Sequence, residues 1–94
     1  MDSILRQKRG AVLAVAERHR LRRVRVFGSA ARDDLRDDSD IDILAEFPPG
    51  FTLFDHAVVE RELGELLGRP VDLVSEAALR PRVRQNVTRE AVAL

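Results

Sequence analysis

Ninety-four residues allow one domain, 1–94, with one modest core. A chain of this length buries roughly 60–65% of the surface its unfolded form exposes, too little to wall in a deep cleft as well. The formal net charge of zero argues against a dedicated DNA binder, and four Phe with no Tyr or Trp argue against stacking single-stranded bases on rings. The absence of cysteine excludes disulfides and thiolate metal sites, leaving oxygen ligands and two histidines.

In chain order, residues 3–19 come first. Ile4, Leu5, Val12, Leu13 and Ala16 recur at helical spacing, with Ser3 as the expected N-cap. Gly10 inside this helix costs about 1 kcal/mol relative to Ala, enough to bend it or delay its start. The longest apolar run, residues 11–16, is far too short to span a membrane, and nothing resembles a signal peptide, so a cytoplasmic location is the expectation. Arg23-Val24-Arg25-Val26-Phe27 then alternates with the period of a half-buried strand and stops at Gly28-Ser29. Residues 30–35 suit a short helix and 37–39 a turn. Residues 40–47 alternate again as a second strand. Pro48-Pro49-Gly50 breaks the chain.

Thr52, with Asp55 three residues on, reads as the cap of a helix running to Leu67 and stopped by Gly68. Leu53, Ala57, Val58, Leu63, Leu66 and Leu67 are expected largely on one face, with Phe51, Leu53 and Phe54 as core or cap packing. A third strand covers 71–74. Ser75 caps a short helix before Pro81, and a weak last helix covers 83–93. This order predicts an α/β (α+β) fold: a small three-stranded sheet with helices packed on one face.

Charge is unevenly spread. Residues 6–25 and 80–89 are mostly basic, and 33–46 mostly acidic. Charge runs are usually solvated faces. Two parts of the acidic stretch and its surroundings carry more than that. Ser29 is followed by ten residues and then Asp40-Ile41-Asp42. Strand residues i and i+2 share a face, so Asp40 and Asp42 stand side by side, and two close carboxylates stay ionised at a cost unless a cation lies between them. Mg²⁺ prefers such oxygen ligands, usually one or two carboxylates plus substrate phosphates.

Asp72 is a lone acid between Val71, Leu73 and Val74. An acid in an apolar strand needs a partner or a metal. If the third strand lies beside the second, three carboxylates can bridge two metal ions about 3.5–4 Å apart, the arrangement for in-line displacement at phosphorus. Gly28 lets phosphate approach the backbone, and the N–H groups at the start of the following helix with the Ser29 hydroxyl make an anion site. Arg32, one turn on, can neutralise the same phosphates.

Gly28-Ser29-Ala30-Ala31-Arg32 with Ser39-Asp40-Ile41-Asp42-Ile43 resembles the signature of the minimal nucleotidyltransferase (MNT) family of the DNA polymerase β-like superfamily. The resemblance implies a nucleotidyltransferase-like fold and transfer of AMP from ATP to an acceptor hydroxyl. It implies Asp40, Asp42 and Asp72 as catalytic metal ligands for Mg²⁺, with two ions, and Gly28, Ser29 and Arg32 as nucleotide-binding residues. Asp72 matches only a loose pattern.

The family commonly has Gly after the Arg, where this chain has Asp33. Gly there suggests a left-handed turn residue, which Asp tolerates better than most. The resemblance also implies a partner: MNT proteins typically pair with an all-helical HEPN toxin and act as its antitoxin by AMPylating it, commonly on a tyrosine hydroxyl. The chain lacks the extra helical domain of larger relatives, so a partner is expected to complete the site. Two rivals remain open, an inactive antitoxin that only binds its partner, and a transferase acting on RNA ends or a small molecule.

Overall fold

In the computed structural model, which describes residues 2–34, 36 and 39–94, the first helix, α1, spans Ser3–Arg18. Leu5, Val12, Val15 and Ala16 are its buried residues, a stripe at helical spacing. Its N-cap is Asp2, which accepts from the Ile4 N–H at 2.9 Å, and not Ser3. Ser3 is already inside the helix, whereas Asp2 has the non-helical ψ of 145° that a cap requires. Gly10 neither ends nor delays α1.

The strand β1, Arg22–Phe27, pairs antiparallel with β2, Ile41–Glu46. Val26 faces Ile43 and Phe27 faces Asp42, with a bulge between Arg22 and Arg25 where Arg23 takes φ 52°. Between the two strands the chain makes a 3-10 turn, Gly28–Ala30, instead of the expected helix over 30–35. The Arg32 N–H donates to the Gly28 carbonyl and the Asp34 N–H to that of Ser29, which closes the turn early. Leu35, and Asp37 and Asp38 of the expected turn, lie outside the described residues.

The helix α2, Leu53–Leu67, carries the chain over to β3, Val71–Ser75, which pairs parallel with β2. A parallel pair needs such a crossover. Thr52 and Asp55 form the expected capping box, and Gly68 ends the helix at φ 70°. The buried residues of α2 are Val59, Leu63 and Leu67. Leu63 and Leu67 are buried as the sequence predicts, but Leu53 at 89% and Phe54 at 76% are exposed, Val59 takes the covered row, and Phe51 is half-buried against Phe47. The docking of α2 on the sheet, not the density of apolar residues along it, sets which row is covered.

The 3-10 turn Glu76–Ala78 follows Ser75, whose side chain makes no capping bond to it. The helix α3, Pro81–Glu90, starts with Pro at its first turn and ends before the expected residue 93. Ala91 is extended, and Val92–Ala93 pairs with β1 as a short strand, β4. Among the described residues the sheet therefore has four strands in the order β3-β2-β1-β4, one more than the sequence predicts. Two residues are too few to carry a readable period.

Ile41, Ile43 and Ala45 of β2, Val26 of β1 and Leu73 of β3 join the buried residues of α1 and α2 in the main core. The alternate residues, including Asp42 and Phe27, take the other face. Leu44 is fully buried on that second face, and Arg25, directly opposite it, reaches Glu76 at 2.7 Å. Among the described residues no helix is long and apolar enough to cross a membrane.

Candidate active site

Asp42 and Asp72 share the second face of the sheet, and Asp40 lies close enough for its charge to act on Asp42. Asp42 lies in β2, directly opposite Asp72 of β3 in the parallel register, while Asp40 immediately precedes β2. The condition posed by the sequence, that the third strand pair beside the second, is met. Asp42 is half-buried, and Asp40 and Asp72 are exposed. Burial first, then the negative charges of Asp72 and Asp40, push the Asp42 carboxyl above the ordinary aspartate range. Its ionised form is therefore disfavoured, as expected for a carboxylate without a compensating positive charge.

Gly28 closes the other side of Asp42. Its φ is +68°, and a Cβ built on it would stand 2.6 Å from Asp42 Oδ2. Such a contact is far inside van der Waals distance, so a side chain at 28 would displace the Asp42 carboxylate, and the positive φ favours glycine at the turn itself. Phosphate approach, the reason suggested by sequence, is compatible with this second reason. Ser29 is half-buried in the same turn. Asp33 adopts φ 64°, the left-handed conformation expected where the family has glycine.

Arg32 is about half exposed and forms ion pairs of 3.6 Å with Asp34 and with Glu90 of α3. These are solvent-screened contacts of small energy, and they leave the guanidinium within reach of water. Phe27, which sequence reading passed over as a strand end, sits opposite Asp42 on the same face. The alternation itself holds the signal: Phe27 falls on the row of Arg23 and Arg25, an aromatic ring on an otherwise charged side. Within the basic stretch 6–25, Arg18, Arg20, Arg22 and Arg23 are exposed, as expected of a solvated face, and Arg25 is enclosed with Glu76.

The donor set suits a hard divalent cation: carboxylate oxygens on one face, mutually repelling, with a glycine turn beside them. Among the described residues no three acidic or histidine side chains are yet drawn close enough to hold a metal ion as they stand.

The chain belongs to the nucleotidyltransferase domain family, which it matches over residues 8–94. Protein adenylyltransferase MntA of Thermococcus cleftensis is 40% identical over 76 residues, covering 81% of this chain and 77% of that protein. A solved structure provisionally described as a minimal nucleotidyltransferase superposes with a TM-score of 0.89 at 53% identity, covering 100% of this chain and 97% of the other. A crystal structure described as a toxin-antitoxin with AMP-PNP shares the fold, with a TM-score of 0.79 at 20% identity over 89% of this chain and 69% of the other. The fold and the enzyme class expected from the sequence thus hold: the protein is a nucleotidyltransferase of the minimal type.

Proposed function

We propose that the domain 1–94 is an Mg²⁺-dependent protein adenylyltransferase that moves AMP from ATP onto a hydroxyl of a HEPN toxin, and so acts as its antitoxin. The observation that carries the chemistry is the raised, crowded carboxylate of Asp42 between Asp72, Asp40 and the Gly28 turn. The acceptor class rests on the MNT resemblance and on the named relative, an adenylyltransferase. The partner class draws on the resemblance and on the toxin-antitoxin neighbour of the same fold.

In this reading Asp40, Asp42 and Asp72 hold Mg²⁺, two ions in all, which neutralises the triphosphate and the charge that develops during displacement. The Gly28-Ser29 turn binds the phosphates through backbone N–H groups and the Ser29 hydroxyl, with Arg32 giving up its exposed ion pairs to join them. The acceptor oxygen bonds to the α-phosphorus as the bond from that phosphorus to the pyrophosphate oxygen breaks. Asp72, which is exposed, receives the hydroxyl proton and passes it to solvent.

ATP labelled at the α- or the γ-phosphate tests the reaction class. The α-label is expected to become fixed to protein while the γ-label leaves as pyrophosphate. Fixation of the γ-label contradicts adenylyl transfer. Labelled RNA or small molecules with unlabelled protein move the acceptor to another class.

A further inference from the structure

Successive residues of a strand turn their peptide groups to opposite edges. The Ile41 N–H donates to the Pro70 carbonyl, so Pro70, Asp72 and Val74 face β2, and Val71, Leu73 and Ser75 face the open edge of the sheet. At Leu73 that edge is closed by two side chains of α2. The Leu73 N–H donates to Glu60 Oε2 at 2.8 Å, and the Leu73 carbonyl accepts from His56 Nε2 at 2.6 Å. A carbonyl can only accept, so the ring proton sits on Nε2, and His56 Nδ1 faces Glu60 Oε1 at 3.5 Å.

His56 and Glu60 are one turn apart on α2, and both are partly buried. They grip both polar groups of the residue that follows Asp72. We propose that His56 and Glu60 are positioning residues that fix β3 lengthwise against β2, and thereby hold Asp72 level with Asp42 as a metal ligand. A slip of one residue along a strand turns every side chain to the other face, so the register decides whether Asp72 belongs to the site at all. Covering an edge against foreign strands needs a charge or a bulky group at that edge. Here a donor and an acceptor instead match one residue's carbonyl and N–H, which specifies position along the strand. The proposal rests on the metal-carboxylate reading given above.

The test is Mn²⁺ affinity, measured by titration of the folded protein, together with hydrogen exchange of the Leu73 amide. Glu60→Ala is expected to speed exchange in β3 and to weaken Mn²⁺ binding about 10-fold. Glu60→Gln keeps the acceptor oxygen and is expected to match wild type in both readouts. Glu65→Ala removes an equivalent charge from an exposed position of the same helix and serves as control. His56→Ala and His56→Gln repeat the comparison through the carbonyl, should Glu60→Ala unfold.

Faster Leu73 exchange with unchanged Mn²⁺ affinity overturns the positioning role and leaves mere edge cover. Loss of affinity in Glu60→Gln equal to that in Glu60→Ala also overturns it, since the hydrogen bond would then be irrelevant. Wild type that binds no Mn²⁺ sinks the metal-carboxylate reading itself and this proposal with it.

Discussion

Gly28 and Asp42 are matched in shape: a methyl group on Gly28 would lie 2.6 Å from the Asp42 carboxylate oxygen Oδ2. One side or the other must move if a Cβ is added. The φ of +68° adds a backbone penalty of about 1–2 kcal/mol for any L-residue. Gly28→Ala is therefore expected to lower the transition temperature and to displace the carboxylate. A misplacement of this order costs about 100-fold in rate. Steady-state kinetics beside a thermal melt checks both, and a folded, fully active Gly28→Ala protein contradicts the fit.

Asp42 also stores a conflict that the fold must bear. Its folded-state carboxyl is raised, chiefly by burial and then by Asp72 and Asp40. A raised carboxyl gives stability that is fully present below the unfolded-state value and lost as pH rises through the folded-state value. Asp42→Asn, which cannot ionise, is thus expected to melt higher than wild type at neutral pH. The gap closes as pH falls from the raised folded-state value to the ordinary aspartate value. Added Mg²⁺ is expected to raise the melting temperature of wild type and not of the variant. Equal melts at every pH speak against the crowding of these charges.

The pair formed by Glu76 and Arg25 has the opposite sign. Their 2.7 Å contact is largely enclosed, at 13% and 11% side-chain exposure. The hydrogen bond from Arg25, with the charges of Arg25, Arg23 and Arg84 behind it, holds Glu76 below the usual carboxylate range. That contribution is present above the unfolded-state value and is lost as pH falls through the folded one. Glu76→Gln is expected to cost about 1.5 kcal/mol at neutral pH, the worth of a hydrogen bond to a charged group. Urea unfolding at neutral and at acid pH checks the sign: the deficit shrinks in acid.

Asp33 stands at φ 64° on the turn that carries Arg32. Asp33→Gly removes both the backbone cost and a negative charge from that turn. The variant is expected to be at least as stable as wild type and to show a lower KM for ATP, read from kinetics at fixed Mg²⁺. A raised KM means that Asp33 serves the nucleotide directly.

Local chemistry was the most legible part of this chain. The Thr52 and Asp55 box, the Gly68 stop and the left-handed residue at 33 each depend on neighbours a few residues away. The meeting of Asp42 with Asp72 was readable only as a condition, because register is decided by how α2 returns β3 to β2. The face of α2 was misread in part for the same reason. Counting apolar residues picks Leu63 and Leu67 rightly, but it adds the exposed Leu53 and misses Val59, which packing buries. His56 and Glu60 gave no signal at all. Their partner is the backbone of Leu73, which is seventeen and thirteen residues away and carries no mark in the sequence.

The most direct test of adenylyl transfer is the intact mass of the proposed HEPN partner, after incubation with this protein and Mg²⁺-ATP. Asp42→Asn runs alongside. The account predicts a gain equal to one or more AMP groups with wild type and none with the variant. A partner of unchanged mass, held in a stable complex that Asp42→Asn leaves intact, contradicts it and makes the protein an antitoxin by binding alone.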